Sequence, residues 1–231
     1  MAFGEDRELA QELAAVAREL VGARNVQETL QRIVVFAVET IPGCDHAGLS
    51  LVIKGRIETP AQTDPPVPQM IDQIQNDTGE GPAVDAIRHH QLFETGNLAL
   101  EQRWPRFAPA VAEQTDVRSV LAIRLFITDD DTMGSIGLYA ETVDAFGDAD
   151  RSVASIFAAH AAVALRAAQQ QDQLTAAIET RDIIGQAKGI IMARKQVDDA
   201  TAFAMLRDGS SRMNQKLREV AQLVVDRERK P

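Results

Sequence analysis

The spacing of apolar residues predicts two helices near the amino end of the chain. The apolar residues of the stretch 5–21 recur at helical spacing and are Leu9, Leu13, Val16 and Leu20. A second helix is predicted to begin after Asn25, because Glu28 three residues later completes a capping-box-like pattern. Both segments therefore read as amphipathic helices with one buried face.

Apolar runs in the middle of the chain predict β-strands. Residues 46–53 have strand character, and a turn at Lys54-Gly55 leads into a second short strand at 56–59. Residues 117–127 and 133–140 are two further strands, and the polar run between them makes them a hairpin. The first half of the chain is therefore predicted to contain an antiparallel sheet.

Prolines divide the segment between the two pairs of strands. Residues 63–69 contain three prolines, which predicts a loop because proline does not donate to a strand ladder. A short helix is predicted around Met70–Gln75, and Pro82 is predicted to begin another helix, where its missing N–H costs nothing.

One very long helix is predicted from Asp148 to about Arg194, because no glycine or proline interrupts it before Gly185. A helix of that length exceeds what one compact domain can bury, so it must leave the first domain and enter a second one. The polar segment 167–173 is the predicted boundary. The expected domains are residues 1–166 and 167–231.

Apolar residues continue at roughly heptad spacing beyond that boundary. They are Leu174, Ala177, Ile184 and Ile191. Arg181 and Lys188 interrupt this seam. The spacing and the excess length of the helix predict a homodimer formed through a coiled coil.

Two shorter helices are predicted to follow. Asp198 can cap the first, with Phe203 and Leu206 facing inward and Gly209 ending it. Ser211 or Asn214 can cap the second. Its predicted inward residues are Leu217, Val220, Ala221 and Val224. The predicted fold class is α+β: a mixed domain with an antiparallel sheet flanked by helices, a long connecting helix, and an all-α three-helix bundle.

Composition is typical of a globular protein, with 45% hydrophobic and 25% charged residues among 231. No apolar run approaches the roughly 20 residues of a membrane span. The acidic amino end lacks the apolar core of a signal peptide. These features predict a cytoplasmic protein without a membrane partner, and the single cysteine, Cys44, excludes an internal disulfide.

Charge is distributed unevenly between the two halves. Residues 175–231 hold 11 Lys and Arg against 8 Asp and Glu, whereas the remaining residues carry a net charge of −13. A positively charged tail on a negatively charged body indicates an anionic partner for the tail.

Two glycines interrupt the carboxyl end of the long predicted helix. Each of Gly185 and Gly189 costs roughly 1 kcal/mol relative to alanine in a helix interior. One interpretation is that these glycines and Ala187 let the helix pack closely against its neighbours. The other is that they form a surface poor in side chains, where a folded nucleic acid approaches the backbone and Lys188 meets a phosphate.

The carboxyl-terminal segment resembles the ANTAR domain, the RNA-binding module of bacterial transcription antitermination regulators. The resemblance lies in "RDIIGQAKGIIMARK" and "ATAFAMLRDGSSRMNQKLREVAQLVV". The first domain resembles a GAF domain, which senses small ligands or proteins, in "GEGPAVDAI", "RWPRFAPAV", "VRSVLAIRLFI", "GSIGLYAETVDAFGDAD" and "ASIFAAHAAVAL". The pair is similar to the GAF-ANTAR regulators of actinobacteria.

This resemblance implies a signal-responsive regulator that binds pairs of RNA hairpins in leader transcripts and promotes antitermination. Proteins read such RNA at loops and backbone, because the A-form major groove is too narrow for a helix. The candidate RNA-binding residues are Gly185, Ala187, Lys188, Gly189, Arg194, Arg207, Ser211, Asn214, Lys216 and Arg218. For each cation other than Lys188, a solvated surface charge is as good an interpretation as an RNA contact. Lys216 and Arg218 lie about 200° apart on one helix, so they do not face the same RNA surface.

Two residues of the first domain are candidates for binding a ligand. Arg124 lies in an apolar strand and needs a partner, which is either an anionic ligand or, by preference, a carboxylate such as that of Asp116 or Glu94. Trp104 is a candidate for an aromatic contact, although a place in the core is the favoured interpretation.

No catalytic pattern is present, so the chain is predicted not to be an enzyme and to need no cofactor. The four histidines lie in separate elements or, for His89 and His90, on different helix faces, which disfavours a metal site. Cys44 lacks the partners of the GAF-type methionine sulfoxide reductases and a bilin-attachment motif. The alternative functions are a DNA-binding transcriptional regulator and a protein-interaction scaffold in a signalling pathway.

Overall fold

A computed structural model describes residues 20, 22–23, 25–53, 56–89, 92–126 and 132–229. Packing divides the chain into two units, Met1–Gln169 and Gln170–Pro231. Most of the first predicted helix, the predicted turn at Lys54-Gly55, and His90 lie outside the described residues.

The first unit is an antiparallel sheet covered by helices on both faces. Its strands are β1 (His46–Ile53), β2 (Arg56–Gln62), β3 (Phe93–Thr95), β4 (Ser119–Phe126) and β5 (Thr132–Ala140). Its helices are α1 (Val26–Thr40), α2 (Val67–Thr78), α3 (Pro82–His89), α4 (Phe107–Gln114) and the beginning of α5 (Asp148–Lys195). The five strands are arranged in the order β2-β1-β5-β4-β3, and every neighbouring pair is antiparallel. The predicted α+β class is confirmed.

The helix starts show where local sequence was sufficient and where it was not. The Oδ1 atom of Asn25 accepts a hydrogen bond from the backbone N–H of Glu28 at 2.9 Å, as the capping pattern predicts. The predicted loop at 63–69 is wrong at its end, because α2 already begins at Val67 and contains Pro68. Proline is tolerated there because a first helical turn leaves its N–H groups without helical partners.

The two faces of the sheet pack against different helices. Leu121 and Leu125 of β4 share one apolar core with α1 and with Phe157 of α5. Val120, one residue out of phase, faces the second core together with Trp104. This alternation follows from the two-residue period of a strand and leaves both faces of β4 buried.

A carboxylate is buried among polar side chains on the face that α2 covers. Asp72 is only 2% exposed. It accepts hydrogen bonds from the hydroxyls of Ser50 at 2.8 Å and Thr59 at 2.7 Å, and from the amide of Gln75 at 2.9 Å. Burial outweighs these hydrogen bonds and raises the pKa of Asp72 to about 6.

The second unit is a three-helix bundle built from the end of α5 together with α6 (Asp199–Met213) and α7 (Leu217–Arg229). Its buried core consists of Ala187, Leu206, Val220, Ala221 and Val225. The carboxylate of Asp198 accepts a hydrogen bond from the N–H of Thr201 at 2.8 Å, so the predicted cap of α6 is confirmed.

Two predictions for this bundle are wrong. α6 does not end at Gly209 but continues to Met213, because the left-handed residue that ends the helix is Asn214 and Gly209 is not in that conformation. Phe203 does not face the core: it is 39% exposed, whereas its neighbour Ala202 is fully buried. No helix among the described residues combines the length and the hydrophobicity that a membrane crossing requires.

We predict that Asp72 makes the stability of the first unit depend on pH. A pKa raised in the folded state means that folding favours the protonated carboxyl, so this contribution is complete below about pH 4 and is lost as the pH rises through about 6. Asp72→Asn should therefore flatten the fall in the free energy of unfolding between pH 4.5 and 7.5 by about 2 kcal/mol. Urea denaturation across this range measures the effect.

Asp77→Asn on the same helix is the matched control, because Asp77 is exposed and should leave the pH dependence unchanged. Parallel stability curves for Asp72→Asn and the parent protein would contradict this account of the buried carboxyl.

Candidate nucleic-acid interface

Burial of Ala187 determines the rotation of α5 in the bundle. Ala187 is fully buried, as predicted. Residues two positions away on a helix point about 200° away, so Gly185 and Gly189 face outward. A Cβ atom placed on either glycine would meet no heavy atom of the described residues within 4 Å. Close helix packing therefore explains Ala187 but not the two glycines, which leave a strip of exposed backbone.

Lys188 lies at the border of this glycine strip. Its Nζ atom is 2.5 Å from Oδ1 of Asp199, the first residue of α6. The lysine side chain is 23% exposed and the aspartate 66%. Lys188 is thus held beside the glycine strip by a carboxylate that is itself open to solvent.

Two further candidate cations are held in the same manner. The guanidinium of Arg194 is 2.5 Å from the carboxylate of Glu228. The guanidinium of Arg218 is 3.3 Å from that of Glu179. These ion pairs are exposed, and exposed pairs typically contribute only about 0–1 kcal/mol to stability. A phosphate can therefore replace these carboxylates at little cost.

Arg207 and Lys216 are exposed and form no ion pair with a described residue. Arg207 lies on α6, whereas Lys216 precedes the first residue of α7. The predicted angle of about 200° between Lys216 and Arg218 assumed that both belong to one helix, so it does not apply.

Ser211 and Asn214 lie at the junction between α6 and α7. Asn214 has the left-handed conformation, with φ 50° and ψ 41°, and its N–H bonds back to the carbonyls of Ser210 and Ser211. It therefore ends α6 instead of beginning α7. Ser211 belongs to the last turn of α6, so neither residue is the predicted cap of the third helix.

Phe203 is a residue that the sequence analysis misplaced. It lines a shallow groove of about 950 Å³ together with Gly185, Lys188 and Arg181. The sequence did contain a signal: Phe203 is four residues from Asp199 and four from Arg207, so all three share one face of α6. That face carries charge, and the core face of α6 instead carries Ala202 and Leu206.

Trp104 belongs to the core of the first unit, which is the favoured interpretation. It is 2% exposed, and its indole N–H donates to the carboxylate of Asp85 at 2.8 Å. Phe107 packs edge-on against it with ring centroids 6.0 Å apart, and the guanidinium of Arg103 lies 4.5 Å from the centre of its ring.

Arg124 is 3% exposed, and its guanidinium lies 4.7 Å from the centre of the Phe126 ring. The two carboxylates predicted as its partners are engaged elsewhere. Glu94 bonds to Arg151, and Asp116 is exposed and lies 3.9 Å from Arg118. The structure thus confirms that Arg124 is buried, but both predicted partner carboxylates form ion pairs with other arginines.

Cys44 lies in the core of the first unit, where it is 7% exposed. Its thiol donates to the carbonyl oxygen of His46 at 3.3 Å. Burial raises the pKa of the thiol to about 12, so it stays protonated near neutral pH. A protonated, buried thiol is a poor nucleophile.

Comparison with protein families gives two matches in chain order. The family described as a GAF domain matches residues 23–166, and the family described as an ANTAR domain matches residues 172–225. A search of curated proteins finds no match to this chain.

Solved structures share the fold of the first unit. One is the GAF domain of a phosphoenolpyruvate-protein phosphotransferase from Coxiella burnetii, at 17% identity and TM-score 0.57, covering 71% of this chain and 96% of that one. Another is a free methionine-R-sulfoxide reductase from Neisseria meningitidis, at 13% identity and TM-score 0.55, covering 71% and 91%. A third is the chromophore-binding domain of a bacteriophytochrome from R. palustris, at 11% identity and TM-score 0.59, covering 72% and 63%. Identities this low establish the fold alone.

We predict that Cys44 does not react with a thiol reagent while the protein is folded. Burial and the raised pKa suppress the thiolate, so labelling by Ellman's reagent at pH 8 should proceed only as fast as the core opens. Because the chain contains one cysteine, the released chromophore reports this residue directly. Complete labelling in urea is the control, and equally rapid labelling without urea would contradict the prediction.

Proposed function

The chain belongs to the GAF-ANTAR family of regulators, and from this premise we propose that it binds RNA hairpins in leader transcripts in response to a signal. ANTAR domains are RNA-binding antitermination modules and GAF domains sense signals; both are regulatory. In this proposal residues 1–166 receive the signal and residues 167–231 bind the RNA. Binding stabilises an antiterminator hairpin and denies the competing terminator its sequence.

The exposed glycine strip is the observation that supports the proposal most directly. Gly185 and Gly189 have open space where a side chain would be, and Lys188 borders that space. A folded RNA presents its phosphates and loop at the surface, since its major groove is too narrow for a helix. A bare helical strip bordered by a lysine is suited to that shape.

The remaining candidate contacts surround this strip in the proposal. Arg207 and Lys216 are available to phosphates directly. Arg194 and Arg218 become available when phosphates replace the carboxylates of Glu228 and Glu179. Ser211 and Asn214, at the junction of α6 and α7, offer polar groups to a loop nucleotide.

The signal in this proposal is a small molecule or a protein recognised by the first unit. The buried Arg124 is the candidate anchor for an anionic group, whereas Trp104 belongs to the second apolar core of this unit.

A homodimer is part of the proposal, because two hairpins require two RNA-binding surfaces. Leu174 and Ile178 are spaced by one helical turn on α5 and are 58% and 54% exposed. Exposed aliphatic residues at this spacing favour pairing with the same helix of a second copy.

We predict that Lys188→Ala weakens binding to dual-hairpin leader RNA roughly tenfold at 0.1 M salt, because one phosphate contact is lost. The slope of log affinity against log salt should decrease in magnitude by about one. Crosslinking the full chain to total cellular RNA and sequencing the bound transcripts supplies the RNA, and fluorescence anisotropy measures the affinity.

Asp199→Asn is the matched control, since it removes the same ion pair but retains the lysine. It should bind RNA at least as tightly as the parent protein. If both variants lose affinity equally, Lys188 acts only by joining α5 to α6. If duplex DNA competes for binding as well as the hairpins do, the protein is a DNA-binding regulator instead. If no nucleic acid binds at physiological salt, the protein is an interaction scaffold and neither nucleic-acid function holds.

We predict that Leu174→Glu dissociates the homodimer, because it places a charge in the apolar pairing surface. Light scattering should give the parent protein twice the 25.2 kDa mass of one chain and the variant the mass of one chain. Leu223→Glu, at an exposed apolar position of α7 outside the pairing surface, is the control. A parent protein that stays monomeric at every concentration would contradict the dimer.

A further inference from the structure

We infer that the groove beside Phe203 receives one unpaired loop base of the RNA, which stacks on the Phe203 ring. This inference rests on the proposed function and adds a subsite to it. It concerns two residues, Phe203 and Arg181, that the sequence analysis did not place among the RNA contacts.

The exposure of Phe203 requires an explanation that the bundle core does not supply. Its ring is 39% exposed on a face of α6 that otherwise carries Asp199 and Arg207. Leu206 and Ala202 fill the core on the adjacent face of the same helix, about 60° and 100° around the axis from Phe203. Phe203 therefore offers a flat apolar surface to the groove rather than to the protein interior.

Apart from Phe203, the lining of the groove lies on α5 and mixes small and large residues. Ala176, Ala177 and Gly185 are its small residues and Ile184 is a large apolar one, and a Cβ atom added to Gly185 would meet no heavy atom of the described residues within 4 Å. Thr180 and Gln186, which also line the groove, carry hydrogen-bonding groups. An aromatic side chain, open space at Gly185 and a few polar groups fit a nucleobase, which is flat and has polar edges.

The charges at the groove indicate an anionic partner. Arg181 lies four residues before Gly185 and Lys188 three residues after it, so both cations flank the glycine on the groove side of α5. Arg207 extends the same face of α6 one turn beyond Phe203. One carboxylate, Asp182, also lines the groove. Cations on both sides of a flat site match an RNA strand, in which each base is flanked by phosphates.

A second copy of the chain would fit this groove less well. Pairing the same α5 stripe about a two-fold axis would bring Arg181 and Lys188 of one copy close to those of the other, and like charges at a helix interface are unfavourable. Leu174 and Ile178, the exposed pair proposed for dimerisation, do not line the groove, although Ala177 and Ile184 of the predicted seam do.

The test uses the full chain and a stem-loop RNA that the parent protein selects from a library with randomised loop sequences. Phe203→Leu keeps an apolar side chain but removes the ring, and should lower affinity about tenfold, the lower part of the range for a stacked base. Phe203→Tyr should retain affinity. Met205→Leu is the control, because Met205 is exposed about 200° away on the same helix.

Replacing loop nucleotides one at a time with abasic residues then identifies the base. One position should cost the parent protein about tenfold and cost Phe203→Leu nothing further, since both changes remove the same stack. Substituting 2-aminopurine at that position should give fluorescence quenching on binding that is lost in Phe203→Leu.

Several outcomes would overturn the inference while leaving the proposed function standing. One such outcome is that Phe203→Leu binds the RNA with unchanged affinity. Another is that the losses of affinity caused by Phe203→Leu and by the abasic nucleotide are additive. A change in molecular mass of Phe203→Leu would assign the groove to a second copy, and strong competition by free nucleoside monophosphates would assign it to a mononucleotide. If the parent protein selects no stem-loop at all, the proposed function itself fails.

Discussion

The burial of one small residue, Ala187, organises the carboxyl-terminal surface. With Ala187 against Leu206 and Ala221, helical geometry leaves Gly185 and Gly189 no orientation except outward. An alanine at the centre of the bundle and glycines on the outside reverse the common arrangement, in which the smallest residues mark the closest packing. The cost of two helical glycines is therefore not offset by packing within the described chain, which is why an external partner explains them better.

Carboxylates moderate the positive charge of this surface. Lys188, Arg194 and Arg218 each bind an acidic residue of the same unit, so few of the candidate cations are free before a partner binds. Exchange of a protein carboxylate for a phosphate leaves the number of ion pairs nearly constant. Such a surface should discriminate by shape as well as by charge, because a partner gains most where its phosphates match the positions of the carboxylates they replace.

The first unit buries both faces of its sheet and also buries the carboxyl group of Asp72, a residue of α2 that lies against one of those faces. Hydrogen bonds from Ser50, Thr59 and Gln75 stabilise the carboxylate form of Asp72 in this interior. Its raised pKa indicates that these bonds do not fully replace hydration by water. Helix α5 contributes Phe157 to the core of this unit and Ala187 to the core of the other. One helix thus contributes apolar residues to the cores of both units.

The amino-acid sequence by itself determined the local elements: the caps at Asn25 and Asp198, the hairpin of β4 and β5, and the uninterrupted length of α5. Each depends on residues near one another in the chain, so spacing and capping chemistry are sufficient to predict it. Tertiary structure decided which way the elements face. The outward glycines, the exposed ring of Phe203 and the pairing of Lys188 with Asp199 all follow from contacts between different helices, and helical periodicity alone does not specify which neighbour a face will meet.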